Sequence, residues 1–200
     1  MARRDQRDGQ AVSACVGRKD IPYHFRIVQA KEKINAFALP GGYVYFTERM
    51  WQIMTPAERA GILAHEITHC DQRHGVDQML KARQRALWTL PLVILSGGSA
   101  LGYAVMLGDT LINQRYSRKM EREADELGIK LLNDAGFDPG GLVTAMKKLL
   151  HIESAVNRYE LSDIFASHPD TTKRIDYLAE AALSMGATSE QLELKSVDDP

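Results

Sequence analysis

Hydrophobic and polar positions divide this chain into a strand-like beginning and a helical remainder. In "YHFRIVQA" (residues 23–30) and "INAFALPGGYVYF" (residues 34–46), aromatic and β-branched residues recur between turn signals. These runs predict two or three short antiparallel strands, with Pro40-Gly41-Gly42 turning the chain before the last. The pattern then becomes helical. Thr55 as N-cap, Pro56 at the first helical position and Glu58 closing a capping box predict a helix from Pro56 to about Arg83. A second long helix is expected from about Asp109 to Asn133, closed by Gly136. Pro139 opens a third, with Leu142, Val143, Met146, Leu149 and Leu150 at core spacing. A loop around "SHPDTTKR" (167–174) leads to a last amphipathic helix near Ile175 to Met185.

Between the first two helices lies Ala86 to Gly108, which contains no charged residue. Its length is near the roughly 20 residues that span a bilayer. Pro91, Gly97, Gly98 and Gly102 interrupt it, and Ser96-Gly97-Gly98-Ser99 reads as a turn. A helical hairpin and a single span both fit, and either allows membrane contact through residues 86–108. The expectation is one α+β, mostly helical domain over residues 1–200 with a small antiparallel sheet near the N-terminus. Residues 1–20 form an N-terminal segment, 86–108 an apolar hairpin insertion and 186–200 a tail.

Composition excludes some classes. The 200 residues are 44% hydrophobic and 26% charged, which suits a folded domain with a real core. A net charge of -1 gives no concentrated basic surface, so no nucleic-acid partner is expected. Two cysteines, Cys15 and Cys70, are too few for a disulfide framework or a Cys-rich metal site. The start "MARRDQRDGQ" has no apolar stretch and does not read as a signal peptide. No pattern specifies an oligomer.

The candidate chemistry lies in "LAHEITHCDQRH" (63–74), which holds three of the six histidines. His65-Glu66-Ile67-Thr68-His69 is an HExxH motif. Histidines four apart on a helix point about 40° from one another, so both imidazoles can reach one metal ion. Glu66, beside the first ligand, is placed to take a proton from water at that ion. Neutral imidazoles suit zinc, which in catalytic sites takes three protein ligands and leaves one position open. Asp71 stands where many such motifs carry an apolar residue. A third histidine six residues after His69 would define another arrangement, but that position is Gly75. His74 is five residues on and faces elsewhere on a straight helix, so it is read as structural. "YSRKMEREADELG" (116–128) supplies a better third ligand. Glu121 and Asp125 share a helix face. Glu121 can complete a His-His-Glu set, with Glu123 the remaining alternative, and Asp125 can accept the free ring N–H of a ligand histidine. Cys70 is read as a core residue beside the ligands, and His24 and His151 as structural.

"HEITHCDQRH", "SRKMEREAD" and "SHPDTTKRI" together resemble the gluzincin zinc metallopeptidases of the HtpX-like and CAAX prenyl-protein endopeptidase family. The resemblance runs from about Asn35 to Leu178 and is greatest to bacterial, envelope-type soluble members concerned with outer-membrane protein quality control. It implies a zincin-like domain holding one Zn2+ through His65, His69 and Glu121, with Glu66 as general base and Asp125 behind a ligand histidine. It further implies that an extended substrate pairs with the backbone near Asn35, Ala36 and Phe37. His168 would donate to the oxyanion, and Arg174 would tie its loop to nearby carboxylates. The function so implied is zinc-dependent hydrolysis of unfolded or misassembled polypeptides in the bacterial cell envelope, periplasmic or membrane-associated. The alternative is a latent or non-cleaving, zinc-stabilised peptide-binding chaperone module. Glu66 argues against the latter, because a site that only binds has no need of a base.

Overall fold

The computed structural model describes residues 2–95, 116–155, 164–165, 167–169 and 171–193. In chain order these form α1 (Ala2–Ala14), β1 (His24–Val28), β2 (Ala36–Leu39), β3 (Tyr43–Thr47), α2 (Glu48–Ile53), α3 (Pro56–Asp71) and α4 (His74–Leu95). They continue as α5 (Arg118–Asp134), α6 (Gly140–Ala155), α7 (Thr171–Ser184) and a 3-10 turn at Glu190–Leu192. The α+β, mostly helical expectation is met. Helix α1 was not anticipated; its Val12 is fully buried.

The sheet is mixed, not antiparallel. Strand order is β1-β3-β2, with β2 antiparallel to β3 and β1 parallel to it. The short Pro40-Gly41-Gly42 connection dictates the antiparallel hairpin, whereas the alternation in β1 says nothing about its direction. Val44 and Phe46 of β3 are buried, with Phe25 of β1 and Ala36 of β2 on the same face. The most buried strand therefore takes the centre, and β2 is left at an edge. Asn35 and Thr47 form a hydrogen-bonded pair (Thr47 N to Asn35 O, 2.9 Å), which sets the alternation along the hairpin. By that alternation the N–H and C=O groups of Ala36 and Ala38 point away from β3, while those of Phe37 point into it.

Helix α3 runs through the middle of the core. Its capping box forms as the sequence predicts: Thr55 Oγ1 accepts from Glu58 N at 3.3 Å, and Thr55 N donates to Glu58 Oε2 at 2.7 Å. The same Glu58 oxygen takes a hydrogen bond from Lys148 Nζ of α6 at 2.7 Å, pairing two buried charges. Helix α6 lies so close that a Cβ on Gly61 would stand 2.5 Å from Leu142 N. Gly61→Ala is accordingly expected to force α3 and α6 apart and cost about 1–3 kcal/mol. Urea denaturation checks this, and unchanged stability would mean that the helices yield freely.

Three helix boundaries differ from the sequence expectation. The helix expected to reach Arg83 is broken: α3 ends at Asp71, Arg73 adopts φ 59°, and α4 starts at His74. Helix α5 begins at Arg118, because the Ser117 hydroxyl accepts from Met120 N and caps it; residues 109–115 lie outside the described residues. Helix α7 begins at Thr171, earlier than Ile175. Pro91 does not interrupt α4, which continues to Leu95. The carbonyl deprived of a partner belongs to Leu87, whose side chain is exposed, so water can satisfy it. Leu87, Trp88 and Leu95 form an exposed apolar row at the end of this helix. Among the described residues no helix is long and apolar enough to cross a membrane. The turn expected at residues 96–99, and the rest of the apolar segment to Gly108, lie outside the described residues.

Candidate metal centre

Helix α3 carries His65, Glu66 and His69 in its buried middle, and α5 presents Glu121 and Asp125 from its first two turns. The two helices approach closely because Gly128 lies against His65; a Cβ there would stand 3.2 Å from His65 Cα. His168 arrives from the segment before α7, fixed by the backbone bonds His168 N to Ile164 O (2.8 Å) and Tyr116 N to Ser167 O (3.1 Å). All these side chains are buried.

His65 Nε2 lies 3.1 Å from His69 Nε2 and 3.3 Å from His168 Nδ1. Glu121 Oε1 is 3.4 Å from His69 Nε2 and 3.0 Å from His168 Nδ1. One ligand atom from each of His65, His69, Glu121 and His168 falls within 4.8 Å of every other. His65 Nδ1 lies 3.0 Å from Asp125 Oδ1, though outside hydrogen-bond geometry, and a ring proton on that nitrogen would leave Nε2 a lone pair. Burial lowers the pKa of His69 well below its ordinary value, which keeps that ring neutral. Electron pairs thus converge in a buried space. Such a set is stable around a cation, and imidazole with carboxylate is a donor set that a divalent transition-type ion fits.

The flanking charges hold this arrangement. Arg174 donates from Nε to Asp125 Oδ2 at 2.8 Å and from Nη2 to Asp125 Oδ1 at 2.7 Å, while its Nη1 reaches Glu121 Oε2 at 2.5 Å. Tyr177 donates its hydroxyl proton to Asp125 Oδ2. Burial pushes the Asp125 carboxyl up, but His65 and Arg174 outweigh it and bring the pKa to about 2. Glu121 is likewise lowered against its burial, by His168, His69 and Arg174. For His168 burial acts downward, yet Glu121 prevails and raises it. Glu66 is raised by burial; its Oε2 has no hydrogen-bond partner among the described residues, and its Oε1 lies 3.5 Å from His168 Nε2.

Of the residues singled out from sequence, His65, Glu66, His69, Glu121, Asp125 and His168 meet, with two additions. His74 comes back to His69, and Tyr116 stacks on His69 with ring centroids 3.9 Å apart. Tyr116 opened the quoted α5 stretch, but nothing in its spacing marked it. A cavity of about 190 Å³ runs from His69 and Tyr116 to Ala38 and Leu39 of β2. Asn35, Ala36 and Phe37 do not border it. Both cysteines are free; Cys70 is buried beside His69, as expected, and donates to Leu39 O at 3.3 Å.

Comparison with known proteins decides what this architecture is. The profile of peptidase family M48 matches residues 2–182. The chain belongs to peptidase family M48. Among its relatives, metalloprotease LoiP of Escherichia coli (strain K12) is 29% identical over 164 residues, covering 78% of this chain and 62% of LoiP. The mitochondrial metalloendopeptidase OMA1 of Saccharomyces cerevisiae is 30% identical over 148 residues, covering 72% of this chain and 42% of OMA1. The beta-barrel assembly-enhancing protease of Escherichia coli (strain K12) is 30% identical over 164 residues, covering 77% of this chain and 33% of that protein. This M48 chain thus spans between a third and two thirds of the length of these relatives.

Proposed function

We propose that this chain is the catalytic domain of a zinc-dependent endopeptidase that cuts extended segments of unfolded or misassembled proteins in the bacterial cell envelope. The observation that carries the reading is the buried cluster with an unsatisfied carboxylate oxygen on Glu66 beside it. His65, His69 and Glu121 would hold one zinc ion, the metal that such a donor set suits. Asp125 orients His65 through its Nδ1. When bound, the zinc would polarise the scissile carbonyl and make water a stronger nucleophile. Glu66, its basicity raised by burial, takes the proton of the attacking water and delivers it to the leaving amine. His168, with Nε2 turned toward Glu66, donates to the oxyanion.

The substrate adds as a strand to the β2 edge, running along Asn35, Ala36 and Phe37, with Ala36 and Ala38 offering the outward N–H and C=O groups. The free edge of β2 supports this path, and the cavity joins His69 only to its far end at Ala38 and Leu39. The family supports proteolysis, and a relative named for β-barrel assembly supports the envelope as the site of action. The exposed Leu87, Trp88 and Leu95 support membrane contact near residues 86–108.

One observation favours a second reading, a latent state. His168 Nδ1 lies among the ligand atoms, where it would occupy the open position a catalytic ion needs. A single experiment tests both. Wild-type chain should bind one zinc and cut casein, losing activity in a chelator and regaining it on zinc addition. Absence of zinc would sink the site, and zinc without cleavage would sink the endopeptidase reading for the resting chain. His168→Ala then separates the two roles at matched zinc: slower cleavage marks an oxyanion donor, faster cleavage a latency ligand.

A further inference from the structure

The two ligand histidines of α3 are supported differently. Behind His65 stands a carboxylate, Asp125. Behind His69 stands a second imidazole: His74 Nδ1 lies 2.9 Å from His69 Nδ1. The far nitrogen of that ring, His74 Nε2, lies 3.5 Å from Glu123 Oε2. His74 reaches this place only because α3 breaks. On a continuous helix a residue five positions on would point about 140° away from His69. The left-handed Arg73, at φ 59°, ends the helix and swings His74 back under the ligand, where it is buried.

The proton positions follow from the chemistry of imidazole. A neutral ring has one N–H donor and one acceptor nitrogen. This step rests on His69 being a metal ligand through Nε2, as proposed above. His69 must then carry its proton on Nδ1 and donate it to His74 Nδ1. His74, accepting there, must carry its own proton on Nε2, which faces the Glu123 carboxylate. Every polar atom along the line has a role, and the direction of donation is unique.

From this we infer that His74 and Glu123 form a relay, His69 Nδ1–H to His74 to Glu123, that fixes the tautomer and orientation of His69 and strengthens its grip on the metal. His74 and Glu123 are positioning residues, and the relay is the counterpart on His69 of what Asp125 does for His65. An outer partner of this kind changes metal affinity by about 10–100-fold when removed.

Zinc-loaded, 15N-labelled full chain gives the first readout, because long-range proton–nitrogen spectra report which nitrogen of each ring is protonated. The relay requires Nδ1–H on His69 and Nε2–H on His74. A proton on His74 Nδ1, alone or with Nε2, overturns it. Zinc affinity, measured by competition with a chromophoric chelator, gives the second. His74→Leu should weaken zinc binding by about 10–100-fold, and His74→Asn, whose Oδ1 can accept from His69, should restore most of it. Glu123→Ala, at a half-exposed position, should fold normally and give a smaller weakening. A folded His74→Leu with wild-type affinity shows that the ring merely fills space. If wild-type chain binds no zinc, the metal reading and the relay fall together; zinc binding with the wrong tautomer removes the relay alone.

Discussion

Glu66→Gln is expected to slow casein hydrolysis by about 10²–10⁴-fold while leaving one zinc per chain. The expectation rests on how this carboxylate is held. Glu66 is buried in α3, next to His65 along the chain and outside the group of candidate ligand atoms. Oε2 meets no hydrogen-bond donor among the described residues, and Oε1 only approaches His168 at 3.5 Å. Glutamine has the same shape and keeps the packing, yet it cannot accept a proton from water. The linkage has a definite sign. Burial raises the Glu66 pKa in the folded chain, so ionising it costs stability as pH rises through the window above its ordinary value of 4.5. In metal-free chain at neutral pH, Glu66→Gln should therefore raise the thermal midpoint while activity collapses. Zinc content, casein cleavage and thermal unfolding in chelator check the three parts. Wild-type cleavage by the variant would assign the base elsewhere.

Arg174→Leu is expected to destabilise the fold by about 3–5 kcal/mol, because it strands two buried carboxylates. Arg174 is the only side chain among the described residues with strong bonds to both Asp125 and Glu121. Without it, two carboxylates remain buried with fewer partners, and Tyr177 alone still donates to Asp125 from outside the cluster. The pH dependence carries a second check. Asp125 is depressed from 3.8 to about 2, so its contribution is complete above the unfolded value and disappears as pH falls toward the folded one. In Arg174→Leu that loss should be smaller and finish at a higher pH, since the remaining depression rests on His65. Arg174→Lys should recover part of the stability only, because an ammonium cannot reproduce the forked contact. Urea midpoints across pH measure this. A variant as stable as wild type would mean that the carboxylates protonate without cost.

Much of the centre is legible in the sequence because it is local. The four-residue spacings of His65 with His69 and Glu121 with Asp125 are consequences of helical geometry, and the Thr55–Glu58 capping box shows that the first of these helices starts where it must. Family resemblance adds Arg174 as a tie to carboxylates, and the structure has it on Asp125 and Glu121. Non-local features were less legible. The hairpin was readable from Pro40-Gly41-Gly42, but the parallel partner of β3 was not, since strand alternation carries no direction. The break at Arg73 left no mark in the sequence, as arginine is not a residue that favours positive φ. A straight helix would turn His74 away from His69, which it touches in the structure.

By itself, then, the sequence determined most of the helices and which candidate ligands share a helix face, because these depend on residues within one or two turns of each other. Only the tertiary structure decided which side chains converge. His168 meets His65 across 103 positions, and Tyr116 covers His69 from the segment before α5. Those approaches are set by how closely α3, α5 and α6 pack, through contacts as particular as Gly61 on Leu142 and Gly128 on His65. Packing of that kind is a property of the whole core, and no local pattern encodes it.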